Sequence, residues 1–136
     1  MRNPLNPMEI GKYALSGLIG GLLEVPFYLK DLEVFSEISF RITGVHSVVV
    51  GVILHLIASV IIGVVALSLL NVAGIEGRGF WASLLIGIML GSSVLSLFSL
   101  PVHLTVFPLK ITLVYVISHI FYGVFVYLAY WVLQRG

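Results

Sequence analysis

The sequence predicts an all-α integral membrane protein, a four-helix transmembrane bundle built from two pseudo-repeated helix pairs. Two observations predict this. Of 136 residues, 60% are hydrophobic and 10% are charged, whereas an ordinary soluble domain carries about 25% charged residues. A soluble chain of this size leaves much of its surface exposed and could not hide so much apolar area. The charges also punctuate the chain. None lies between Arg41 and Glu76, between Arg78 and Lys110, or between Lys110 and Arg135. Each gap exceeds the roughly 20 apolar residues that cross a bilayer.

Those gaps place three spans at residues 45–70, 80–100 and 111–133. An earlier span at 7–29 is less apolar, but its start is well marked. Asn6 suits an N-cap, Pro7 the first helical position and Glu9 the third, as in a capping box. A cleaved signal peptide would want a short apolar core and a small-x-small site. Glu24-Val25-Pro26 supplies neither, so a retained helix is expected. Residues 71–79 hold three glycines and read as a turn. Residues 101–110, with Pro101 and Pro108, read as a tight or partly embedded turn. In 31–44, Leu32, Phe35 and Ile38 fall at helical spacing opposite Glu33 and Glu37. That pattern fits either a short interfacial helix or an ordered loop.

Both termini then share one side of the bundle, side A, with Arg2, Lys12, Arg78 and Arg135. Lys30, Arg41 and Lys110 lie on side B. By the positive-inside rule the termini of this multi-pass cell-membrane protein are expected in the cytoplasm, with Trp81, Tyr130 and Trp131 as a side-A aromatic belt. Net charge is +1, so no basic excess attracts nucleic acid. Cysteine is absent, which excludes disulfides and thiolate metal sites.

Helices associate in lipid through close packing and polar contacts, so small residues mark inward faces. The first helix has Gly17 and Gly21, and the second has Gly51, Ser59 and Gly63 beside His55. The third has Ser83, Gly87 and Gly91, followed by Ser92, Ser96 and Ser99. The fourth has Gly123, one turn after His119. Val52-Ile53-Leu54-His55-Leu56 and Val116-Ile117-Ser118-His119-Ile120 hint at duplication. Each is preceded by a glycine-bearing helix that ends in proline and then Leu-Lys. Two such pairs would be related by an axis along the membrane normal.

Ionisable groups inside spans are costly and become functional candidates. By helical rise His55 lies about 15 Å from side B, His119 about 12 Å and Glu24 about 8 Å. His46 opens the second helix and His103 follows the third, so the polar groups concentrate in the side-B half, with nothing comparable towards side A.

These residues admit three readings. The first is a structural or accessory component of a membrane assembly, working as a homo-oligomer or within a larger complex, its polar groups serving as interhelical hydrogen bonds. The second is a proton- or cation-linked transporter or channel with a polar cavity of Glu24, His46, His55, His103, Tyr115, His119 and Tyr122. The third is a b-type haem protein with His55 and His119 as axial ligands, which needs facing imidazoles and glycines that make room for the ring. No His-x-x-x-His or Glu-x-x-His pair, nucleophile elbow, P-loop or dinucleotide fingerprint is present. No catalytic residue is therefore assigned, a non-enzyme is expected, and no metal is specified.

The first helix runs glycine-rich into Glu and Pro (Gly17 to Pro26), and His46 opens the second. Ser99-Leu100-Pro101 precedes Phe107-Pro108, and His119 is followed four residues later by Gly123. In these features the chain resembles the small four-helix inner-membrane proteins of the YagU type. The resemblance implies a multi-pass membrane protein and assigns no catalytic residue.

Overall fold

The computed structural model describes residues 3–105 and 111–135. Among these the fold is all-helical: α1 (Pro7–Glu24), α2 (Glu33–Thr43), α3 (Val48–Val72), α4 (Phe80–Thr105) and α5 (Leu113–Arg135). Three of them, α3, α4 and α5, are long and apolar enough to cross a membrane. Their outer faces carry exposed Ile, Leu, Val and Phe side chains, as a lipid-facing surface requires. α1 carries Glu9, Lys12 and Glu24 within its 18 residues and is the most polar of the long helices.

α1 starts as its sequence dictates. The Asn6 side chain accepts the Glu9 backbone N–H at 2.9 Å, and Pro7 occupies the first turn. Pro26 lacks a backbone donor, so the helix tightens at its end into a 3₁₀ turn over Val25–Tyr28. The 31–44 segment resolves as a helix: α2 buries Phe35 and Ser39 and ends at Gly44, whose φ of 80° is the left-handed cap that glycine adopts without strain. It lies against α3, where a side chain at Gly51 would meet the Phe35 backbone.

α4 departs from expectation. The sequence places a turn at Pro101, yet the helix continues through it to Thr105. The reason lies one turn earlier. Pro101 cannot donate to a carbonyl four residues back, and its ring crowds that turn. Leu95–Ser99 widens into a π-turn, in which the Leu100 N–H bonds Leu95 O. The extra residue makes room for the ring without ending the helix. The remainder of the expected turn, 106–110, lies outside the described residues.

The helices form a row, α3–α1–α5–α4, in which each packs on its neighbour. α3 makes no extended packing with α4. Glycines form the seams. A Cβ on Gly17 would fall 2.6 Å from Ser59 O, and one on Gly63 would fall 2.6 Å from Gly17 Cα. Gly20 faces Tyr122 and Val126 of α5, so α1 packs closely on both sides. Between α4 and α5, a Cβ on Gly87 would come 2.7 Å from Val124 Cα, and Gly91 and Gly123 meet backbone to backbone. Ser92 and Ser96, expected on this inward face, instead satisfy the carbonyls of Ile88 and Ser92 on their own helix.

Gly17→Ala and Gly63→Ala each place a methyl against backbone that cannot rotate away, so each is expected to lower stability by about 1–3 kcal/mol. Gly11 lies on the same helix as Gly17, but a methyl group there would meet nothing within 4 Å. Gly11→Ala is expected to stabilise by about 0.5–1 kcal/mol. Equilibrium unfolding in mixed micelles checks both. Equal effects at Gly11 and Gly17 would refute the seam.

Candidate functional site: a carboxyl between two imidazoles

Glu24 ends α1 three residues after Gly21 and is 2% exposed. The close approach of α1 to both neighbours delivers its carboxyl between two rings. Oε1 lies 3.6 Å from Nε2 of His55 on α3, and Oε2 lies 3.5 Å from Nδ1 of His119 on α5. The Ser118 hydroxyl also borders this carboxyl and hydrogen-bonds with Tyr28 Oη at 2.6 Å.

Hydrogen bonds assign the tautomers. His55 Nε2 is 3.0 Å from Gly21 O, and His119 Nδ1 is 2.7 Å from Tyr115 O. A carbonyl only accepts, so each of these nitrogens carries a proton. His119 Nε2 is then the acceptor for the Ser99 hydroxyl at 2.9 Å, and Ser99 Oγ in turn contacts Tyr115 Oη. Both imidazole N–H groups thus donate to backbone carbonyls, with the Glu24 oxygens 3.6 and 3.5 Å from the same nitrogens. The carboxyl lies where the two rings converge. Its Oε2 is nonetheless buried with no well-formed hydrogen bond among the described residues.

The carboxyl and both rings line a cavity of about 280 Å³. Leu54, Ala58 and Ile62 of α3 form one wall, and Val94, Phe98 and Val102 of α4 form the other. Ile38 and Ile42 of α2 roof it. The space exists because α3 and α4 stand apart on either side of the α1–α5 pair.

The residues proposed from sequence divide in the structure. Glu24, His55, His103, His119 and Tyr122 all line the cavity. Tyr122 donates to Ser59 O at 2.6 Å, which ties α5 to α3 across the cavity floor. Tyr115 lies behind His119, with ring centroids 4.3 Å apart, and outside the cavity lining. His46 is elsewhere: its ring stacks on Phe40 at 4.2 Å at the exposed α2–α3 junction. The haem alternative needs His55 and His119 to face each other across a ring. In the structure the two imidazoles face Glu24, and α1 lies between their helices. His55 Nε2 is engaged by Gly21, and the two nitrogens of His119 by Tyr115 and Ser99. Among the described residues no group of three His, Cys, Asp or Glu side chains is arranged to hold a metal ion.

A second polar centre lies at the opposite end, where the sequence suggests nothing comparable. Glu9 is 2% exposed. It accepts from Gln134 Nε2 at 2.8 Å and lies 3.5 Å from Lys12 Nζ. Tyr130, expected in an aromatic belt, is buried here and donates to Asn71 Oδ1 at 3.0 Å. A capping box assigns the Glu9 side chain to its own helix start, which conceals this role. The spacing of Tyr130 and Gln134, one turn apart on α5, is the available signal. The cluster ties the start of α1 to the ends of α3 and α5 at one end of the bundle. Of the other expected belt residues, Trp81 is 77% exposed, and Trp131 packs beside Phe80 and under the Arg135 guanidinium.

Comparison with protein-family profiles, curated proteins and solved structures gives no match.

Removal of the Glu9 carboxyl takes from Gln134 its 2.8 Å acceptor and from Lys12 its neighbouring carboxylate, at a buried junction. Glu9→Ala is therefore expected to cost about 1–3 kcal/mol. Hydrogen exchange should show the loss first at the start of α1 and the end of α5. Unchanged protection at both ends would contradict the assigned role.

Proposed function

We propose that the protein is a multi-pass membrane protein in which α1 spans the bilayer together with α3, α4 and α5, and that Glu24, His55 and His119 form a proton-exchanging centre for cation- or proton-linked transport. The observation that carries this reading is the Glu24 carboxyl, buried at the head of a cavity and held between imidazoles from two helices that flank α1.

Span length supports a transmembrane α1. Its 18 residues and the following 3₁₀ turn extend about 35 Å at their respective rises, against a hydrocarbon core of about 30 Å.

Charge supports the exchange centre. An uncompensated carboxylate in so dry a place is very costly. The nearest imidazole nitrogens, 3.6 and 3.5 Å away, already donate to backbone carbonyls. A proton on the carboxyl makes the cluster neutral, and so does a cation beside it. A group that can be neutralised in two interchangeable ways is what coupled transport requires. The Glu9 centre provides the contrast within the same molecule: that carboxyl has a short amide donor and a lysine, as a structural tie should.

Infrared difference spectroscopy on the reconstituted protein tests the reading. A carbonyl stretch from a protonated carboxyl should grow as pH falls, disappear as pH rises and shift on deuterium exchange. It should vanish in Glu24→Gln, persist in Glu9→Gln and change frequency in His55→Ala and His119→Ala. A wild-type spectrum with no pH-dependent carboxyl band, or one unchanged in Glu24→Gln, would overturn the proposal.

A further inference from the structure

We infer that the cavity between α3 and α4 is a binding site for a small lipophilic cation, an amine or quaternary ammonium with a compact hydrocarbon body, which reaches it sideways from the bilayer. This rests on the reading of Glu24 as an exchangeable acid and adds the class of ligand.

Four observations point the same way. First, the walls are hydrocarbon: Leu54, Ala58 and Ile62 face Val94, Phe98 and Val102, so the body of a ligand must be apolar. Second, one end holds a carboxyl whose Oε2 is buried without a well-formed hydrogen bond. Among the described residues its ion-pair partners are imidazoles, with no lysine or arginine. A bound cation supplies the missing countercharge, and a neutral hydrocarbon does not. Third, the aromatic side chains of Phe98 and Tyr122 line the same space, and aromatic faces attract ammonium groups. Fourth, α3 and α4 make no extended packing with each other. The cavity is therefore flanked by two lipid-facing helices with a gap between them, which gives access to a solute dissolved in the membrane. The volume of about 280 Å³ lies at the small end for ligand pockets and suits a single-ring amine.

The exchange balances without a further reactant. The cation enters, the Glu24 carboxyl releases its proton, and the carboxylate pairs with the ammonium. Reprotonation of Glu24 removes the pairing and releases the cation.

The test uses two probes of matched shape, phenyltrimethylammonium, whose charge is fixed, and neutral tert-butylbenzene. Calorimetry on the protein in lipid nanodiscs, run in buffers of different ionisation enthalpy and against empty nanodiscs, measures affinity and proton release. The cation should bind saturably and release about one proton, tightening by about tenfold per pH unit while Glu24 is protonated. Glu24→Gln should remove proton release and weaken the cation by about tenfold or more, while leaving the hydrocarbon unaffected. Ala58 is exposed on the cavity wall, so Ala58→Phe should exclude both probes without touching the carboxyl, which keeps the test decisive if Glu24→Gln folds poorly. Equal affinity for the two probes with no proton release, or no saturable binding of the cation, would overturn the inference. Either result would leave the infrared signature of Glu24 standing, so failure of the ligand class is separable from failure of the exchange centre.

Discussion

The close approach of α1 to two helices at once is the constraint on which the structure depends. Gly17 brings it against the α3 backbone, Gly21 against the Ser59 side chain of the same helix, and Gly20 against α5. A helix with larger residues at those positions would stand away from one neighbour or the other. Glu24 follows Gly20 and Gly21 by about one turn, so it inherits their geometry: it must emerge between α3 and α5 and meet a side chain from each. The polar centre is thus a consequence of where the glycines are. In lipid, where apolar side chains gain nothing by preferring each other to solvent tails, close backbone contact is the main force available to set such a position.

That logic explains which features are legible in the sequence. Small residues four apart identify the α1–α3 and α4–α5 seams, because in lipid those residues are the seam. Helical rise alone puts Glu24, His55 and His119 in the same half of the bundle, and the structure brings the three together. Features that depend on rotation or on local backbone adjustment are not legible. Gly51 shares the stripe of Ser59 and Gly63 but turns to α2, because the α2 backbone occupies that face. His46 lies near the same end as His55 but on the surface. Pro101 signals a helix end by every local rule, and only a π-turn, which has no clear sequence mark, carries the helix past it. Glu9 offers two local uses, a cap and a surface charge, and tertiary contacts with Tyr130 and Gln134 override both.

The two polar centres differ in how fully their carboxyls are satisfied. At the end where the start of α1 meets the end of α5, Glu9 is satisfied by an amide and a lysine. Such a network is stable because each member leaves its partners little to gain from rearrangement. About four turns along α1, Glu24 has the opposite character: deeply buried, with an oxygen left without a full hydrogen bond, and open to a cavity. A bundle anchored firmly at one end and incompletely satisfied at the other has a natural place for change, since the cost of disturbing the second centre is already partly met in the resting arrangement.

The pairing of α1 with α3 and of α4 with α5 gives this asymmetry a further meaning. Each pair brings a histidine from its second helix to the end of its first: His55 to Glu24 in one, His119 to Ser99 in the other. Glu24 and Ser99 occupy matching places, each two residues before a proline that distorts its helix, one into a 3₁₀ turn and the other after a π-turn. Where one half carries an acid, the other carries a hydroxyl. The hydroxyl orients His119 by donating to Nε2, which leaves Nδ1–H for Tyr115 O and sets that edge of the ring 3.5 Å from Glu24 Oε2. Two acids at these positions would repel across a dry interior, and two hydroxyls would leave nothing to ionise. One of each gives a single carboxyl that both helix pairs border, one through His55 and the other through His119.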